Sequence, residues 1–322
     1  MNLTESEIFP IAEATGFDPK TTEKVIRLLT MLNALQSHPF LKGKLALKGG
    51  TALNLFIFDM PRLSVDIDLN YIGALNREEM LADRPKVEQA LRAVFARENY
   101  AVKRMPIEHA GGKWRLSYQS FTGQPGNLEI DLNFMFRQPL WNTNSIESHT
   151  LGNYQATFPV LDIHELAAGK LAALFARHQA RDLFDVHCLL AHNDLNLEQL
   201  RIAFIVYGAL NRKDWRAISP GDIDFDPQEL RQMLLPVLNE KNLREEKNME
   251  SYARRLVAEC KEKIATLFPY SDKERVFLNQ LLDQGNIDPA LLTDDPLLHQ
   301  RIKNHPMLLW KAINVRRHFG LD

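Results

Sequence analysis

The sequence predicts an α+β fold: a mixed sheet with helices, followed by a mostly helical C-terminal domain. Three observations carry that prediction. Residues 63–69 (LSVDIDL) and 127–133 (NLEIDLN) alternate apolar and polar side chains with the period of a half-buried strand. Residues 25–36 (VIRLLTMLNALQ), like most of the chain after Asn193, instead repeat apolar side chains at helical spacing. Gly and Pro clusters punctuate short alternating runs in the middle of the chain, whereas single prolines interrupt longer helical runs near its end.

Residues 1–40 read as helix, with Val25, Leu28, Leu29, Leu32 and Leu35 on one buried face. A short apolar run then ends at Lys48, before Gly49, Gly50, Thr51 and the helix-like TALNLFIF. Residues 76–99 form a charged amphipathic helix whose Val87, Leu91, Val94 and Phe95 point inward, a scaffold. Between 101 and 136, Gly111-Gly112 and the turn at 123–127 divide three short runs into antiparallel strands that extend the sheet. Residues 137–160, rich in Asn, Thr, Ser and His, read as a crossing loop with one short strand ending at Pro159. The boundary is expected there, giving domains 1–158 and 159–322. Asp162 followed by Glu165 has the spacing of a capping box and starts the next helix. The later helical runs are broken by Pro236, Pro269, Pro289 and Pro306.

Composition narrows the function classes. A net charge of -2 over 322 residues gives no global pull toward nucleic acid, so a polyanion would need a local basic patch. The two cysteines, Cys188 and Cys260, have no metal-ligand spacing and imply neither a zinc site nor a disulfide. No apolar stretch approaches the length of a bilayer span, and the acidic N-terminus lacks a secretory pattern, so a cytoplasmic protein is expected.

The chemistry is concentrated in residues 45–71. Alternation puts Ser64, Asp66 and Asp68 on one strand face, and two adjacent carboxylates repel each other unless a cation lies between them. Mg²⁺ prefers one or two protein carboxylates together with phosphate oxygens, so the pair reads as half of a nucleotide site. The Gly49-Gly50 turn between strand and helix supplies the other half, since backbone without Cβ can approach a phosphate. Alone, the glycines would be a plain turn and the aspartates a solvated strand face; their order within twenty residues favours the site. Asp131, on a strand face with Glu129 and Asn133, is a candidate third carboxylate. A second cluster follows Asp162: Lys170, Arg177 and Arg181, spaced to line one helical stripe, with Asp182 and Asp185 three apart. The stripe suits a triphosphate; the bland reading is an ion-paired surface helix with Leu183, Phe184, Val186 and Leu189 inward. The last run places Arg301, Lys303, His305, Lys311, Arg316, Arg317 and His318 around Trp310, a basic patch suited to an RNA backbone or else a solvated face.

Taken together, these stretches resemble the nucleotidyltransferase-like toxins of the AbiEii/AbiGii (type IV toxin-antitoxin, abortive-infection) family. The resemblance is carried by Lys48-Gly49-Gly50-Thr51-Ala52-Leu53 and by Arg62-x-Ser64-x-Asp66-Ile67-Asp68-Leu69. It continues through Lys170-x-x-Ala173-Leu174-x-x-Arg177-x-x-x-Arg181-Asp182-Leu183-Phe184-Asp185 and the closing Pro306-x-x-x-Trp310-Lys311. It implies a polymerase-beta-like core, a helical C-terminal half that completes the site, and transfer of a nucleotide from an NTP to an RNA end such as a tRNA acceptor stem, blocking translation. Asp66, Asp68 and Asp131 would hold Mg²⁺. Lys48, Gly49, Gly50, Thr51, Ser64, Arg177, Arg181 and Asp185 would bind the nucleotide, Lys170 and Asp182 would act in catalysis, and an antitoxin would be the cognate partner. One departure is visible: Gly49 is followed by Gly50-Thr51 where the family's core usually has Gly-Ser, so Thr51 would stand in for the serine. Alternative acceptors are a small molecule or a protein hydroxyl; a non-catalytic toxin that binds RNA or a partner is the rival from another class.

Overall fold

The strand periodicities become a seven-stranded mixed sheet, described here from a computed structural model covering residues 3–108, 110–239 and 249–321. The chain divides into two units. One, the sheet unit, comprises Met1–Arg137, Thr143–Leu161 and Pro236–Lys247; the other, helical, comprises Gln138–Asn142, Asp162–Leu235 and Asn248–Asp322.

In the sheet unit the strands are β1 (Leu45–Lys48), β2 (Asp66–Tyr71), β3 (Ala101–Arg104), β4 (Gly111–Gln119), β5 (Pro125–Asn133), β6 (Asn144–Glu147) and β7 (Thr157–Val160). Their order is β3-β4-β5-β2-β1-β7-β6. The 101–136 region forms the expected antiparallel strands, but β5 joins the first sheet alongside β2 in parallel. Helix α4 (Arg77–Arg97) lies in the intervening chain and gives the length a parallel return needs.

Register in this sheet is set by burial. Ile67 and Leu69 of β2, Leu128, Ile130 and Leu132 of β5, and Trp114 and Leu116 of β4 are all buried. Trp114 meets Phe95 of α4 edge to face at 5.6 Å. The alternate positions are Asp66 and Asp68, Glu129 and Asp131, and Lys113 and Arg115. A slip of one residue would exchange the two sets and bury six charges, so the apolar pattern holds every polar position on the opposite face. Helices α1 (Glu5–Thr15) and α2 (Pro19–Ser37) precede β1, and Val25, Leu28, Leu29, Leu32 and Leu35 of α2 are buried as their spacing predicts.

In the helical unit, α5 (Ile163–Arg177) begins at the N-cap Asp162, which accepts from His164 N at 2.9 Å. The capping box is not completed. Glu165 is buried, accepting from Tyr207 Oη at 2.9 Å and from Trp141 N at 3.2 Å, because two inward-facing donors outcompete the exposed cap. Helices α6 (Ala180–Leu190) and α7 (Leu197–Ala209) follow, then Met249–Ile264, Asp272–Asn279, Pro296–Lys303 and Pro306–Phe319. The helical run breaks at Pro236 as its sequence predicts, closing in a 3-10 turn, Leu235–Val237. At that proline the chain rejoins the sheet unit, where Val237 O accepts from Leu63 N at 2.8 Å and Leu238 bridges to Arg62.

Candidate active site

Within the sheet unit, the parallel register sets Asp66 beside Glu129 and Asp68 beside Asp131, while antiparallel β1 sets Lys48 beside Asp68. The four carboxylates occupy neighbouring positions of one face. Burial, reinforced by the charges of Asp68 and Glu129, holds the Asp66 carboxyl above the usual carboxylate range against the opposing pull of Lys24 and Lys113. Burial also pushes Glu129 up, but the hydrogen bond from Lys113 and the charges of Lys113, Lys24 and Arg115 together outweigh it and hold its carboxyl below the usual value. This face carries negative charge that its own cations do not balance.

The glycine turn is fitted to the same face. Gly49 has φ of 72°, and a Cβ there would collide with Asp68 Oδ2, so only glycine lets the turn close over that carboxylate. Lys48–Gly49–Gly50 leads into a short helical turn, α3 (Gly49–Thr51), and a wider π-helical turn, Ala52–Ile57, whose Asn54 Nδ2 returns to Gly50 O at 2.9 Å. Thr51 is fully buried, and its hydroxyl is directed to Ser64 Oγ at 3.0 Å and to the Asp66 carbonyl. It ties the turn to the head of β2 and is not presented to a phosphate. Ser64 lies just ahead of β2 and is itself buried. Lys48 Nζ stands 5.5 Å from the centre of the Phe136 ring.

Among the described residues no three acidic, imidazole or thiol side chains converge into a preformed metal cage. The donor set nevertheless suits a hard divalent cation that draws its remaining ligands from water and substrate phosphate: aspartates two residues apart on β2, a third level with Asp68, and bare backbone at Gly49.

The helical unit brings a different cluster together. Lys170 Nζ lies 2.9 Å from Asp182 Oδ1 and 2.8 Å from Asp185 Oδ2, and Arg177 forks onto Asp182 with Nε at 2.7 Å and Nη2 at 3.1 Å. Asp182 and Asp185 are 1% and 0% exposed, and Lys170 is 9% exposed. Burial raises the Asp182 carboxyl, yet the Lys170 and Arg177 charges prevail and hold it below the usual range. The single cation stripe expected from the spacing is interrupted. His178 adopts a left-handed conformation (φ 53°) that ends α5, so Arg181 stands on α6. The expected surface ion pairing is instead buried, as are Leu183, Phe184, Val186 and Leu189 of α6.

The basic C-terminal patch is largely spent on the fold. Arg301 donates to Leu140 O and Asn142 Oδ1, Lys311 to Asn211 O and Arg316 to Gly285 O, while His305 is fully buried. Lys303, Arg317 and His318 remain exposed, beside the exposed apolar side chains Leu309, Trp310 and Ile313. Sequence reasoning singled out neither Lys113 nor Arg115; the signal was their alternation with Trp114 in a run paired to LEIDL.

A mixed sheet carrying paired aspartates behind a glycine turn, with a helical companion unit, is an architecture compatible with nucleotidyl transfer. Residues 31–269 match the family model described as nucleotidyl transferase AbiEii toxin, type IV TA system, and the chain belongs to that family. It is therefore a nucleotidyltransferase toxin of a type IV toxin-antitoxin system, a membership that implies an antitoxin partner. In fold it is similar to MenT4, a nucleotidyltransferase toxin of Mycobacterium tuberculosis H37Rv, with a TM-score of 0.61 and 16% identity over 96% of this chain and 99% of that one. No curated protein matches the chain. No helix among the described residues is long and apolar enough to cross a membrane.

Proposed function

We propose that this toxin transfers a nucleotide from an NTP to an RNA end, a tRNA acceptor stem in particular, with Mg²⁺ as cofactor, in the cytoplasm. The observation that carries the reading is the carboxylate face, where Asp66, Asp68 and Asp131 share neighbouring positions of two parallel strands beneath the Gly49 backbone.

In the proposed reaction a ribose hydroxyl of the acceptor attacks the α-phosphorus in line. The new O–P bond forms as the α–β phosphoanhydride breaks, pyrophosphate leaves, and the hydroxyl proton passes to solvent. Asp66 and Asp68, together with Asp131, would hold Mg²⁺, which would supply Lewis-acid stabilisation of the developing charge. The Gly49 and Gly50 backbone gives phosphate oxygens close approach, and Lys48 adds a cation beside Asp68. The roles of Lys170, Arg177, Arg181, Asp182 and Asp185 rest on the family pattern: Lys170 with Arg177 or Arg181 toward the triphosphate, and Asp182 and Asp185 orienting those cations or contacting the incoming base.

The test is incubation of the purified protein with total RNA and each labelled NTP in turn, with and without Mg²⁺, read on a gel. Parallel incubations with protein lysate and small-molecule acceptors separate the alternatives. Metal-dependent labelling of a tRNA-sized band that Asp66→Ala abolishes is the expected result; full labelling by Asp66→Ala rejects the assignment.

A further inference from the structure

We infer that Lys113 and Arg115 of β4 form a phosphate-binding edge to the carboxylate face, taking phosphate oxygens either of the triphosphate or of the acceptor's backbone. The inference rests on reading that face as a phosphoryl-transfer site and adds to it a substrate-binding element outside the glycine turn and the aspartates.

Position comes first. Antiparallel pairing sets Lys113 directly beside Asp131 and Arg115 directly beside Glu129, so the two cations continue the row that Asp66 and Asp68 begin. Trp114 and Leu116, fully buried between and beside them, hold both side chains on that side of the sheet. Each is about half exposed, at 55% of its side-chain surface, so a ligand can reach it.

Their charges are only partly used. Both approach one carboxylate, Glu129: Lys113 Nζ at 3.1 Å and Arg115 Nε at 3.9 Å, the latter beyond hydrogen-bond distance. An ammonium has three donors and a guanidinium five, the latter in a fork that matches phosphate. A cation held between Asp66, Asp68 and Asp131 would quench the attraction these carboxylates exert on Lys113. The lysine and arginine would then be the nearest positive groups on this face for an incoming polyanion. Exposed ion pairs of this kind contribute little to stability, so the pattern is not required by the fold.

The experiment compares the full chain with Lys113→Gln, Arg115→Gln, the double variant and Lys113→Arg. Each is titrated with the four NTPs plus Mg²⁺, and separately with fluorescently labelled tRNA at several salt concentrations. Thermal melts by circular dichroism check that the variants fold. If the triphosphate is the source, the double variant loses roughly tenfold in NTP affinity, as expected for charge-assisted hydrogen bonds, with tRNA binding unchanged. If the RNA backbone is the source, tRNA affinity falls, and the slope of log K against log salt becomes shallower by about one per charge removed. Lys113→Arg keeps wild-type affinity in either case. Affinities for both probes within twofold of wild type in the folded double variant, or no binding of either probe by the wild type, overturn the inference. Charge-dependent binding in a protein that transfers no nucleotide would remove the proposed activity and keep the edge. Unchanged binding in a transfer-competent protein would do the reverse.

Discussion

The sheet face and the α5–α6 cluster both collect aspartates and cations, yet their electrostatics differ. In the helical cluster two buried carboxylates meet Lys170 and Arg177 within hydrogen-bond distance, so charge is neutralised internally. On the sheet face four carboxylates share one surface with Lys113 and Arg115, and Asp66 is held above its usual range by burial and by its acidic neighbours. A balanced buried cluster supports the fold, because removing one member strands the rest. An unbalanced, reachable one has capacity left for a ligand.

Four substitutions test that contrast. The largest effect is expected from Asp66→Ala. Transfer should fall by about 10³-fold or more, as for loss of several kcal/mol of transition-state stabilisation, with a melting temperature no lower than wild type because a like-charge contact is relieved. A variant that melts well below wild type would place Asp66 in the same structural class as Asp182.

Lys170→Met should do the opposite in kind. It removes the lysine that both Asp182 and Asp185 face in the interior, at a cost of about 3–5 kcal/mol in urea unfolding. Adding Asp185→Leu should return part of that loss. An unchanged urea midpoint for Lys170→Met would show that the cluster is not structural, and inactivity of this variant alone cannot assign the lysine to catalysis.

Glu165 extends the comparison to a carboxylate without a cation. Burial raises its pKa to about 7, while hydrogen bonds from the Leu140–Trp141 segment and Tyr207 pull it down. With the folded value above the unfolded one, its stabilising contribution is complete below about pH 4.5 and is lost as pH rises through about 7, by roughly 3 kcal/mol in total. Glu165→Gln should therefore gain stability over wild type progressively between those pH values. A difference in urea midpoint that does not vary with pH would contradict the buried-acid reading.

The smallest change in the fold is expected from Gly49→Ala. Strain at positive φ should cost about 1 kcal/mol, whereas displacement of the Asp68 carboxylate should lower kcat about 10²-fold. Wild-type kcat in this variant would separate the glycine turn from the reacting centre.

The residue pattern alone made the strand face legible. Alternation with period two admits only one side for Asp66 and Asp68, and the same rule placed Asp131 with Glu129 before any pairing was known. It also marked the glycine turn and the burial of Leu28, Val94 and Leu183. Tertiary structure alone decided the rest, because each remaining choice was between partners far apart in the chain. Parallel pairing of β2 with β5 put Asp131 level with Asp68, and antiparallel pairing of β4 with β5 brought Lys113 beside Asp131. Tyr207 and Trp141 drew Glu165 away from its cap, and Leu63 paired with Val237 just past the break at Pro236. Arg301, Lys311 and Arg316 turned from a solvated basic face to backbone carbonyls. Periodicity records which side of an element is apolar; it holds no record of which distant donor or acceptor meets the polar side.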